Sequence, residues 1–97
     1  MTEQQIMKAH KISEHYGKHK QKIQAVQELT ELILVLTRRP DQKKDRASYL
    51  DSLIDEMADC YVMLEQLRQL YELNPIDIDR RITAKLNRQL ERIEQEV

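Results

Sequence analysis

Four carboxylates at helical spacing are the residues best placed to do chemistry. Glu28 and Glu31 are three positions apart, and Glu56 and Asp59 repeat the interval. At about 100° per residue each pair shares one face of a helix, one turn apart. If the two helices form an antiparallel hairpin, both pairs meet and four like charges converge. Such a cluster is costly unless a cation neutralises it, and hard divalent ions that take oxygen ligands are its natural occupants, Mg²⁺ above all with Mn²⁺ as a substitute. The plain alternative is solvated helix surface. Two features count against it: Glu56 and Asp59 sit in a largely apolar stretch, where carboxylates are rarely left without a partner, and Glu28/Glu31 open the run Leu32-Ile33-Leu34-Val35-Leu36.

The elements that must position these groups follow from periodicity. Thr2 and Gln5 form a capping pair for a first helix with a weak stripe of Ile6, Ala9, Ile12 and Tyr16, ending near Gly17. From Lys18 to about Arg39, Ala25, Val26, Leu29, Leu32, Ile33 and Leu36 form an apolar stripe, with Gln21, Gln24, Glu28, Glu31 and Val35 on its flank. Pro40 ends that pattern, and Pro40–Asp45 is expected to be a mobile polar connector. A third helix starts near Asp45 or Ser48 and runs to about Leu73, apolar over much of its circumference and therefore central. Asn74-Pro75 stops it and opens a fourth, with Asn74 as N-cap and Ile78, Ile82, Leu86, Leu90, Ile93 and Val97 as its buried stripe. The expectation is all-α: one domain over residues 1–97, a four-helix, antiparallel, bundle-like chain oligomerising through its helices.

Composition bounds the function. A chain of 97 residues buries a limited fraction of its apolar surface and often leans on a partner chain. Charged residues make up 34%, with one Gly, two Pro and neither Trp nor Phe, a balance that favours long amphipathic helices. Sixteen basic residues stand against 17 acidic ones, for a net charge of −1, so no overall field argues for nucleic acid. Cys60, the single cysteine, reads as a buried, inert thiol in a reducing compartment. Met1–Ala9 has no apolar signal core, and no run approaches the ~20 apolar residues of a membrane span. A cytoplasmic protein that binds no membrane is expected.

The acidic pattern resembles that of the all-α NTP pyrophosphatases typified by MazG, which carry Glu-Glu-x-x-Glu, a variable spacer and Glu-x-x-Asp. Here it reads Gln27-Glu28-Leu29-Thr30-Glu31, 24 intervening residues (32–55), then Glu56-Met57-Ala58-Asp59. The likeness extends from Tyr16-Gly17 and Gln21 to Lys85-Leu86. Gln27 departs from it, standing where the family usually has its first glutamate, which bears on rate more than on reaction type. The resemblance implies that Glu28, Glu31, Glu56 and Asp59 are metal ligands. It also implies Mg²⁺-dependent hydrolysis of a nucleoside triphosphate between its α and β phosphates, giving a monophosphate and pyrophosphate, as in nucleotide-pool house-cleaning, by a homodimer or homotetramer. Glu31 is the expected general base and Glu56 a ligand whose charge turnover requires.

A triphosphate also needs cations. On the fourth helix Arg81, Lys85, Arg88 and Arg92 share a face, with Lys85 and Arg88 the expected substrate-binding pair and Asn87 a weaker candidate; the plain alternative is a solvated face paired with Glu91 and Glu94. Gln21, Gln24 and the rings of Tyr16 or Tyr61 are candidates for the base and sugar, although core packing suits Tyr61 better. His15 and His19, at i and i+4, have metal-ligand spacing but no evident third ligand, and with His10 read as helix-end histidines. The enzymatic rival is a phosphoribosyl-ATP pyrophosphohydrolase, disfavoured by Gln24, where a lysine is expected, and by the length of the Pro40–Asp45 connector. A third reading is a non-catalytic helical module that dimerises through Leu, Ile and Met.

Overall fold

Thr2 starts the first helix: its Oγ1 accepts the Gln5 N–H at 3.1 Å while its own N–H donates to Gln5 Oε1 at 2.7 Å, the capping pair expected. In the computed structural model, residues 1–38 and 46–96 are described. They form three helices, α1 (Glu3–Thr37), α2 (Arg46–Leu70) and α3 (Pro75–Glu96), and no strand among the described residues. The expected count of four is corrected to three because the helix resumes directly after Gly17, with no loop between. Gly17 still breaks the path, at φ 84° and ψ 167°, a region essentially reserved for glycine. Thus α1 is two helical segments, 3–16 and 18–37, joined at one residue.

The expected connector over Pro40–Asp45, with Asp45 as a possible cap, lies outside the described residues, as does Val97. At its far end α2 stops at Leu70 in a left-handed cap: Glu72 takes φ 53°, its N–H reaches Gln69 O at 3.1 Å, and the Leu73 N–H reaches Arg68 O at 2.9 Å. The Arg68 guanidinium fastens this turn by donating to Leu73 O at 3.1 Å and to Glu65 at 2.7 Å. Asn74 then caps α3, its Oδ1 accepting the Ile76 N–H at 2.9 Å, with Pro75 at the first helical position.

The second segment of α1 runs antiparallel to α2, and segment 3–16 lies across the C-terminal part of α2, where Gln69 Nε2 donates to Ile6 O at 3.2 Å. The face that packs is not the one the apolar stripe predicts. Buried on α1 are Ala9, Ser13, Gln21, Ala25 and Val35, with Glu28 and Leu32 half-buried, whereas Val26, Leu29, Ile33 and Leu36 are exposed. The flank carrying the acids therefore faces α2. On α2 only Cys60, Met63 and Gln66 are buried, so the helix is not covered all round: Ile54 is 68% exposed and Tyr61 63% exposed, which corrects the core role expected for Tyr61.

Every residue of α3 is exposed, including the stripe Ile78, Ile82, Leu86, Leu90 and Ile93, and the chain by itself does not close into a bundle. The radius of gyration, 16.8 Å, exceeds the ~13 Å of a compact chain of this length, in keeping with a helix standing apart. No helix among the described residues is long and apolar enough to cross a membrane.

Gly17 offers a clean test of the break. A Cβ there would meet no atom within 4 Å, so Gly17→Ala incurs backbone strain alone. The substitution is expected to cost about 1–3 kcal/mol in urea denaturation. A gain of stability, as for Gly→Ala inside an unbroken helix, would show that α1 is continuous.

Candidate metal centre

Two turns of α1 and one of α2 build the site. One carboxylate oxygen each from Glu28, Glu31 and Glu56 lies within 4.8 Å of the other two. Glu28 and Glu56 are half-buried and Glu31 is exposed. The Oε2 atoms of Glu28 and Glu56 are closed to solvent and have no hydrogen-bond partner. Asp59 is exposed and stands outside this mutual spacing; it adjoins Glu28, carboxyl to carboxyl.

Burial is the largest cause raising the Glu28 carboxyl above the ordinary 4.5; Asp59 and Glu31 push the same way, and the hydrogen bond from Gln24 opposes them. Glu56 is raised likewise, first by desolvation and then by the charges of Glu31, Asp59 and Glu28. The neighbours act as a frame. Gln24 Nε2 donates to Glu28 Oε1 at 2.7 Å, and the buried Cys60 thiol donates to the Glu28 main-chain carbonyl at 3.6 Å. That thiol is itself raised by burial and by the three surrounding carboxylates, in keeping with the inert cysteine expected.

The other expected residues are distributed unevenly. Gln21 and Gln24 line a cavity beside the carboxylates. Lys85 and Arg88 are exposed on α3, and the ion pairs found among the described residues, His10–Glu14 and Glu65–Arg68, do not involve them. His15 packs edge-on against the Tyr16 ring at 4.7 Å, and neither His15 nor His19 joins a metal-ligand group among the described residues. Arg38 is a residue the sequence reading missed: it lines, with Glu31 and Glu56, a recess of about 410 Å³. Its signal was its position seven residues after Glu31, two turns along the same face.

No family model matches the chain, nor does any curated protein or solved structure.

The donor set suits a hard cation. Ligand oxygens on one octahedral Mg²⁺ are roughly 3.0 Å apart for neighbours and 4.2 Å for an opposed pair, so a trio within 4.8 Å would have to draw in by up to about 1.8 Å, a distance that glutamate side chains can cover by rotation. The two orphaned oxygens of Glu28 and Glu56 are the atoms such an ion would satisfy.

The pH dependence has a definite sign. Glu28 and Glu56 hold protons more tightly folded than unfolded, so their contribution to stability falls as pH rises above 4.5 through their raised values. Glu65, held low by Arg68, acts oppositely and only below 4.5. Metal-free protein is expected to melt at lower temperature at neutral pH than at about pH 5, and millimolar Mg²⁺ is expected to raise the neutral Tm more than the acidic one. Melts followed by circular dichroism, with and without chelator, check this. A Tm indifferent to both pH and Mg²⁺ would show that the carboxylates neither couple nor bind metal.

Proposed function

We propose that this chain is a Mg²⁺-dependent nucleoside triphosphate pyrophosphohydrolase, cleaving (d)NTPs between the α and β phosphates, with a role in clearing surplus nucleotides from the cytoplasm. The observation that carries the reading is the convergence of Glu28, Glu31 and Glu56 in a helix interface, with Asp59 alongside, in the order Glu-x-x-Glu then Glu-x-x-Asp. The resemblance of that pattern to the MazG-like pyrophosphatases supplies the reaction.

Glu28, Glu31, Glu56 and Asp59 would hold the metal, which supplies charge neutralisation and orientation to the triphosphate oxygens. Glu31, the exposed member, accepts a proton from water as the water oxygen bonds to the α-phosphorus. The bond from that phosphorus to the α–β bridging oxygen breaks, and its electron pair leaves with pyrophosphate. Arg38, beside Glu31 and Glu56, is placed to meet the departing phosphates within one chain. Lys85 and Arg88 stay candidates only where α3 docks against a site.

The exposed stripes of α1, α2 and α3 support a homodimer or homotetramer, since contiguous apolar surface of this kind marks an interface. They equally suit a non-catalytic helical module, and one assay separates the two. With Mg²⁺ and a panel of NTPs and dNTPs, monophosphate and pyrophosphate are expected in equal amounts, and Glu56→Gln is expected to cut turnover at least about a hundredfold with helix content unchanged. No cleavage of any nucleotide, together with no Mg²⁺ binding by calorimetry, would leave the module reading. Sedimentation is expected to show a dimer or larger, and the double variant Leu86→Glu/Leu90→Glu to shift it toward monomer. A monomeric wild-type chain would defeat the oligomer.

A further inference from the structure

Two separate recesses lie along the α1–α2 pairing, one to either side of Glu28 in the chain. On the Arg38 side is the recess already described. On the Gly17 side lies a cavity of about 610 Å³, within the range of small-molecule sites. Ile12 and Met63 supply apolar wall, the half-exposed Tyr16 ring stands at the edge, and Gln21, Gln24 and Gln66 supply amides.

Gln21 is 4% exposed, and its Oε1 is buried without a hydrogen-bond partner. A buried acceptor left unpaired is a standing cost that a ligand N–H relieves. Gln24 lines the same cavity and also donates to Glu28, so one side chain joins cavity and carboxylates. Apolar walls, an aromatic ring and amide groups suit a flat ligand with apolar faces and a polar edge, which is the description of a nucleobase.

We propose that this cavity holds the base of the nucleotide, with Gln21 Oε1 accepting an N–H from its edge, and that the triphosphate therefore runs toward Arg38. The proposal rests on the reading of the chain as a triphosphate hydrolase. In the reverse orientation Lys20 at the cavity edge would meet the phosphates, but Gln21 Oε1, an acceptor like the phosphate oxygens, would stay unpaired. Spacing along α1 agrees: Gln21 to Glu28 and Glu31 to Arg38 are each seven residues, or about 10 Å of helix. Base, metal-bound phosphate and departing pyrophosphate thus fall in order along one face.

Calorimetry tests this on the full chain, with Ca²⁺ in place of Mg²⁺ to slow turnover, using dATP, dGTP, dCTP, dTTP and inorganic tripolyphosphate as probes. At least one deoxynucleotide is expected to bind about tenfold or more tightly than tripolyphosphate. Gln21→Met keeps the side-chain size and removes the amide; it is expected to erase most of that advantage while leaving tripolyphosphate affinity within about twofold. Tyr16→Ala, at an exposed ring, is expected to reduce it about fivefold or more and decides the matter if Gln21→Met fails to fold. Arg38→Gln is expected to weaken nucleotide and tripolyphosphate alike. Tripolyphosphate bound as tightly as every nucleotide, or an advantage that survives in Gln21→Met and Tyr16→Ala, overturns the base site and leaves the hydrolase reading standing. No binding of any probe overturns both.

Discussion

Everything in this fold follows from the helix interface being built on the acidic flank of α1. Carboxylates of Glu28, Glu31 and Glu56 meet where α1 and α2 pack, and the Oε2 atoms of Glu28 and Glu56 are closed to water. Association through that face forgoes much of the usual apolar burial and brings like charges together. What it gains is a set of acids held at fixed intervals on two helices, beside recesses lined by apolar and amide side chains. The apolar residues that would ordinarily form a core are left on the outside, where they remain available to a second surface.

The same constraint explains which features were legible in the sequence and which were not. Local chemistry was readable: Thr2 and Gln5 cap as their types dictate, Asn74-Pro75 opens a helix, and Gly17 takes a conformation that other residues avoid. The i, i+3 intervals of Glu28/Glu31 and Glu56/Asp59 correctly put acids from two helices together, although Asp59 borders the trio rather than joining it. The packing face was not readable. Hydrophobic periodicity points the stripe Val26, Leu29, Ile33 and Leu36 inward, because pattern reading assumes a chain that buries its own apolar surface. Tyr61 was misplaced for the same reason, and α3 has a strong stripe that its own chain leaves uncovered. Arg38 escaped notice because it sits at a helix end, beyond the run on which the acidic flank was drawn.

The neighbours of Glu28 show how such a site is held ready. Gln24 fixes one of its oxygens, Cys60 holds its backbone carbonyl, and the Asp59 charge adds to the push on its carboxyl. An acid in that position meets a neutral donor rather than a lysine or arginine, which under the proposed function would leave its charge to an external cation. Gln27, the departure from the family pattern, lines the neighbouring cavity together with Gln24.

The break at Gly17 has a geometric consequence for that cavity. Tyr16 and Ile12 come from one segment of α1, Gln21 and Gln24 from the other, and they line one cavity only because a single residue sets the angle and rotation between them. Its wall is therefore a matter of phase. Adding or removing one residue beside the glycine would turn the N-terminal segment by about 100°, carrying the aromatic ring off the amides while leaving each helix intact. Composition at this joint can vary more freely than its length.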